Sequence, residues 1–391
     1  MKQLINNTKL KDREENMGNK SKTLIISDDI GVHKNVRFQK LLDFVGDNWE
    51  FYILSYWPTA YNFFGDIKLY SIKSKKQSRL NSIISHRIPI FPDSYLIHLQ
   101  EVQNHLKYLL LSETFNNCII SMPLFSQIKL AKYIKEINPE ICVIADMLDP
   151  FSFYMTYTIN KEINKAINME KEYFPFYDYI INLNEQIADK YKEIYPELSN
   201  KFKVIEYGID EDFINRIKSC LNYISDNPFT FLYTGTFYKN GRNPKYIYET
   251  FKKMKGECQL FIYGDYKLAL HPPKCSSINY HHSIKRDELA KVIASANALV
   301  IVDNEWGYQV PGKTLETLAL GKPILFIYNN EQSPTLKYIR EARGVVWAKN
   351  NTEDIMKGIE KIIGGEYEEP YFDYSPYTWE KLMEKYQELL L

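Results

Sequence analysis

Short apolar runs separated by stretches of helical spacing recur along this chain, and that alternation constrains the fold more than any single motif. TLIIS (23–27), WEFYILSYW (49–57), CIISM (118–122), ICVIAD (141–146), DYIINL (178–183) and KVIEYGI (203–209) are such runs. Uninterrupted apolar runs suit parallel strands buried on both faces, and parallel neighbours need a crossover, usually a helix, between them. The intervals supply helical patterns over 33–46, 127–137 and 185–195. In the first of these, Val36, Leu41, Leu42 and Val45 share one face. The pattern then starts again. FTFLYTG (229–235), QLFIYGD (259–265), ALVIVD (298–303), PILFIY (323–328) and GVVWA (344–348) alternate with helical stretches over 243–255, 286–295, 312–320, 333–342 and 352–363. The expected fold class is α/β, with two Rossmann-like units of parallel sheet facing across a cleft, where ligands of open α/β sheets bind.

The length of 391 residues fits two ordinary domains. The expected division is a disordered tail over 1–21, a first unit over 22–205 completed by 365–391, and a second unit over 206–364. The tail is polar and has no apolar signal core. The formal net charge of +0 argues against a nucleic-acid partner. Five scattered cysteines without a C-x-x-C pair fit reduced thiols and a cytoplasmic protein. No apolar run approaches the ~20 residues a membrane-spanning helix needs.

The stretch VPGKTLETLALGKPIL (310–325) carries the most chemistry. Pro311 suits a first helical turn, where its missing N–H would be unpaired anyway, and Gly321 with Pro323 supplies the stop. Lys313 then sits at the helix end that repels cations, at a cost of a few tenths to ~1 kcal/mol. Two readings are open. An anion bound at that end would offset the cost, with Glu316 one turn on accepting hydrogen bonds from a vicinal diol. Phosphate and ribose together describe a nucleotide. Otherwise Lys313 is solvated and Glu316 stabilises the helix dipole.

YTGTFYKNGRNP (233–244) is a strand, then Gly235 and Thr236, then a basic loop with Lys239 and Arg242. It reads as a phosphate cradle in which Arg242 offers a planar fork, or as a solvated loop. His281-His282 has no third ligand at metal-binding spacing, and Asp210-Glu211-Asp212 only imitates a metal-binding D-x-D, so no metal is expected. Asp149, after the run ending at Asp146, is a weak catalytic candidate or part of an Asp-Pro turn. The basic run that includes Lys73, Lys75, Lys76 and Arg79 is either a solvated face or a patch for an anionic membrane or lipid diphosphate.

P-x-K-x-x-E-x-x-A-x-G-K-P (Pro311 to Pro323) resembles the donor signature of glycosyltransferase family 4, sugar-nucleotide enzymes of GT-B fold. ISMPLFSQIKLAKYIKE (120–136), ADMLDPF (145–151), the 178–213 run and the 233–244 loop are similar, in order, to further segments of polysaccharide-assembly members. So is TLIIS followed by Arg37 and a helix. The likeness covers most of residues 22–391, and the final helix (378–390) resembles the one that crosses back to the first domain. The resemblance implies sugar transfer with retention from a nucleotide-sugar, a UDP-sugar, to a glycan or lipid-linked acceptor. No cofactor is implied, and the enzyme would lie at the inner face of the membrane if the basic patch holds lipid. It implies donor binding by Gly235, Thr236, Lys239, Arg242, Gly312, Lys313, Thr314 and Glu316, with Ser283 and Ile284 at the nucleobase. The family's signature has an earlier glutamate, and Tyr308 stands there. A non-catalytic subunit serving a partner transferase and a sugar-nucleotide epimerase are the alternatives.

Overall fold

The computed structural model describes residues 20–27, 36–46, 49–55, 67–71, 90–153, 160–220, 228–238, 241–254, 256–265, 270–305 and 307–390. Lys73, Lys75, Lys76, Arg79, Lys239 and most of the expected tail lie outside these residues. Ser21 is already in a strand, paired with Trp49.

The chain divides into two compact units. Residues up to Leu183, Ala188–Ile205 and Met383–Leu391 form the first; Asn184–Ile187 and Glu206–Leu382 form the second. The segment 365–382 therefore belongs with the second unit, and only residues from Met383 onward return to the first.

The first unit is built on seven strands: β1 (Ser21–Ser27), β2 (Trp49–Ser55), β3 (Ile67–Ser71), β4 (Asn117–Met122), β5 (Cys142–Met147), β6 (Tyr179–Asn182) and β7 (Phe202–Val204). Their order is β3-β2-β1-β4-β5-β6-β7, with every pairing parallel. Leu24, Ile25 and Ile26 of β1 are all fully buried, as a central strand covered on both faces requires. Arg37, in the helix Val36–Val45, is buried too. Its Nε lies 3.4 Å from Asp146 Oδ2 and its Nη2 donates to the Ile205 carbonyl at 2.5 Å.

The second unit has six strands: β8 (Phe229–Thr234), β9 (Cys258–Tyr263), β10 (Ile278–His281), β11 (Ala298–Val302), β12 (Ile324–Tyr328) and β13 (Val345–Lys349). They are again all parallel, in the order β10-β9-β8-β11-β12-β13. Alternate residues of β11 feed two separate cores. Leu299 and Ile301 pack with the helices Glu211–Ser219, Arg286–Ser295 and Thr335–Glu341, whereas Ala298, Val300 and Val302 pack with Lys245–Lys253 and Thr352–Ile363. Burying one such aliphatic side chain is worth about 1.5–3 kcal/mol. The chain lays β8, β9 and β10 to one side, then returns to the middle for β11 and builds the other side. The reversal falls between β8 and β11.

Three expected elements differ. Of KVIEYGI only Lys203 and Val204 are strand, within Phe202–Val204, and the residues from Glu206 onward belong to the second unit. The pattern 127–137 splits into a 3-10 turn, Phe125–Lys129, and the helix Leu130–Ile137. The helix expected over 312–320 spans only Thr314–Leu318. Among the described residues no helix is long and apolar enough to cross a membrane.

Candidate active site

A cavity of about 240 Å³ opens in the second unit where the strand order reverses. Tyr233 and Thr234 of β8 and Val300, Ile301 and Val302 of β11 line it, together with the loops that follow these strands. Between two such strands the connections leave in opposite directions, and their carboxyl ends form a crevice for ligands.

The loop after β8 brings Gly235, Thr236, Tyr238 and Arg242 to the wall. Gly235 N–H donates to the Tyr263 carbonyl at 3.0 Å, and Phe237 N–H to Asp265 at 2.8 Å. The two loops touch backbone to backbone: a Cβ on Gly264 would run into the carbonyl oxygen of Gly235. Arg242 Nε donates to Asn304 Oδ1 at 2.9 Å, and its guanidinium lies 5.5 Å from the Tyr238 ring centre. Arg242 also stands near the Tyr233 hydroxyl, whose pKa burial raises and Arg242 partly restores.

The opposite wall is Pro311, Gly312, Lys313, Thr314 and Thr317. Thr314 N–H donates to the Pro311 carbonyl at 2.9 Å, closing a turn, and Lys313 takes the N-cap position without a side-chain cap bond. A five-residue helix aligns few peptide dipoles, so the penalty expected for Lys313 is small. Its side chain meets solvent, yet surrounding protein pulls its pKa below the usual lysine range; Glu316 opposes the shift and Arg286 adds to it. Thr314 is buried, and its hydroxyl has no hydrogen-bond partner in the protein.

Glu316 lines a smaller adjoining recess, with Thr234, Val300, Lys313 and Thr317 common to both. Arg286 Nη2 donates to its Oε1 at 2.6 Å. Burial raises the Glu316 pKa, and Arg286 opposes the shift most. Arg286 also reaches Asp210 Oδ2 at 3.1 Å and covers the Phe213 ring at 3.9 Å.

The cavity thus gathers Gly235, Thr236, Arg242, Ser283, Gly312, Lys313 and Thr314, with Glu316 beside it. Ile284 is half-buried and is not part of the lining. Asp149 belongs to the first unit. Asp210 is an N-cap, accepting from Phe213 N–H at 3.3 Å, so the D-x-D look-alike is a helix start. His281 stacks on Tyr263 and His282 meets the Tyr280 hydroxyl. No cluster of His, Cys, Asp or Glu suited to a metal ion occurs among the described residues. Asn304 and Arg286 were not singled out by sequence; each acts through a partner distant in the chain.

No family model matches the chain, and no curated protein matches it by sequence. Solved structures do. Sucrose-phosphate synthase from Thermosynechococcus elongatus superposes with a TM-score of 0.62 at 12% identity, over 95% of both chains. The lipopolysaccharide outer core galactosyltransferase WaaB gives 0.62 at 13%, over 94% of this chain and 99% of that one. Anabaena HepE, solved with UDP and glucose, gives 0.58 at 9%, over 94% and 95%. At such identities the likeness speaks for architecture: this chain has the GT-B fold, two Rossmann-like units each built on a parallel sheet.

Proposed function

We propose that this protein is a glycosyltransferase that takes a sugar from a nucleotide-sugar donor, a UDP-sugar, and passes it to a glycan or lipid-linked acceptor. One observation carries the reading: the cavity at the strand-order reversal has two cations, Arg242 and Lys313, and an unpartnered buried hydroxyl, that of Thr314, on its lining. The galactosyltransferase and the UDP-bound structure among the similar folds support it.

In this reading the diphosphate lies between the loop after β8 and the segment 311–314. As the bond from the sugar C1 to the diphosphate oxygen breaks, negative charge grows on the leaving group. Arg242 and Lys313 stabilise that charge, in a site where fixed positive groups act more strongly than in water. An arriving phosphate restores to Lys313 the proton affinity that the surrounding protein has lowered. Glu316 accepts from the ribose hydroxyls. The acceptor oxygen bonds to C1 on the face the diphosphate leaves, and its proton passes to a phosphate oxygen, so configuration is retained. The two side-chain cations take the role a metal would otherwise have. We place the acceptor at an anionic membrane surface on the cytoplasmic side, reached through the basic run that includes Lys73, Lys75, Lys76 and Arg79. A second reading, a donor-binding subunit without turnover, rests on Tyr308 at the position of the family's earlier glutamate.

The test is a thermal-shift screen against UDP, GDP, CDP, dTDP and ADP in EDTA. A ligand at about 100 times its Kd adds ~2.7 kcal/mol to folding stability. A clear shift with UDP, reduced in Lys313→Ala, is expected. No shift with any nucleoside diphosphate would overturn the reading. Binding without transfer or hydrolysis of any UDP-sugar would favour the second.

A further inference from the structure

Asn304 follows β11, is 6% exposed, and has both ends of its side chain engaged. Its Oδ1 accepts from Arg242 Nε at 2.9 Å, and its Nδ2 donates to the Gln309 carbonyl at 2.7 Å. A second strap runs beside it, from Glu305 N–H to the Gly241 carbonyl at 2.5 Å. The first bond fixes how the guanidinium is presented. An arginine can grip an anion side-on, through Nε and one Nη, or end-on, through both Nη groups. With Nε held by Asn304, the end-on fork is the one left for the cavity that Arg242 lines. The second bond fixes the chain that leads from Gln309 through Pro311 and Gly312 to Lys313 on the other wall. One amide therefore governs the aim of one cation and the approach of the segment bearing the other. A carboxylate in its place would hold Arg242 but repel the Gln309 carbonyl and cancel charge meant for the ligand.

Building on the donor-site reading above, we infer that Asn304 is a positioning residue for diphosphate recognition: it holds Arg242 end-on to the cavity and ties it to the loop that carries Lys313.

The experiment compares the Kd of UDP with that of uridine for wild type, Asn304→Ala, Arg242→Ala and the double variant, by calorimetry, with melting curves as the control for folding. Asn304→Ala is expected to weaken UDP about tenfold, equivalent to ~1.4 kcal/mol, and to leave uridine unchanged. In the Arg242→Ala background the same substitution is expected to cost UDP clearly less than in wild type, because the group it aims is gone and only its hold on the loop bearing Lys313 is left to lose. Asn304→Asp, should the alanine variant fold poorly, is expected to lose UDP affinity while keeping that for uridine. Equal losses for UDP and uridine, or a full additional loss in the Arg242→Ala background, would overturn the inference and make Asn304 a generic structural residue. A wild type that binds UDP and is weakened by Arg242→Ala but not by Asn304→Ala also overturns it, and leaves the donor site standing. A wild type that binds no nucleoside diphosphate removes both.

Discussion

Arg286 Nη2 lies 2.6 Å from Glu316 Oε1, so the carboxylate proposed for the ribose is already held by a cation before any ligand arrives. Burial lifts the Glu316 pKa and Arg286 opposes this more than any other group. Protonation turns one oxygen of the carboxylate into a donor and weakens the group as an acceptor. Acidification therefore weakens ribose binding as pH falls through the Glu316 pKa, and removing Arg286 moves that pKa up. In Arg286→Gln, the pH midpoint at which uridine affinity is lost is expected to rise relative to wild type, read from Kd against pH. An unchanged midpoint would show that Glu316 does not touch the ribose.

Gly264 has no room for a side chain, because its Cα faces the Gly235 carbonyl. Gly264→Ala must push apart the two loops that form one side of the cavity. Overpacking of this kind costs about 1–3 kcal/mol, expected as a lower denaturation midpoint in urea together with a loss of UDP affinity. Gly256→Ala is the comparison, since its Cβ would meet open space. The UDP affinity of that variant is expected to be unchanged.

Arg37 and Asp146 are both almost fully buried, so each is the other's remedy for lost water. Arg37→Met leaves Asp146 in the core without its ion-pair partner, with the Tyr386 hydroxyl donating to it at 3.4 Å. Breaking a buried pair costs about 3–5 kcal/mol, whereas replacing both members by apolar groups is often neutral. Equilibrium unfolding should show Arg37→Met strongly destabilised and Arg37→Met/Asp146→Leu largely recovered.

Glu170 accepts from Ser152 N–H and Tyr191 at Oε1 and from Tyr195 at Oε2, all out of water. Burial pushes its pKa up to about 7 despite these bonds. Between the ordinary carboxylate range and that value, the folded protein keeps a proton that the unfolded chain has released. Folding stability due to this group therefore falls as pH rises across the window and levels off above it. Glu170→Gln removes the dependence, so between about pH 5 and pH 8 its melting temperature should fall less than that of wild type.

The central strands were legible because burial on both faces demands unbroken apolar runs, as in ALVIV of β11. Edge strands carry no such demand. IKLYS of β3 and INYH of β10 lie at the ends of their sheets and read as polar stretches. The helix Asn160–Tyr173 buries only Ala166 and Glu170, too thin a stripe for a pattern. Of the site, the glycines and cations could be read locally, since their chemistry is carried by neighbours in the chain. Arg286 with Glu316 and Arg242 with Asn304 could not, because each pair is made across the fold.

The return of the chain at Met383 has a consequence for biosynthesis. The first unit needs Tyr386, whose hydroxyl meets Asp146, and Leu390, whose carbonyl accepts from Asn117 Nδ2 at 3.1 Å. Those residues leave the ribosome only after the whole of the second unit, and chains emerge at about 5–20 residues per second. The half that is made first thus waits, with Asn117 and Asp146 uncovered, while the half made later already has all its parts. Completion of the protein runs backward along its own sequence, and a chain cut after Leu382 would leave the earlier half unfinished.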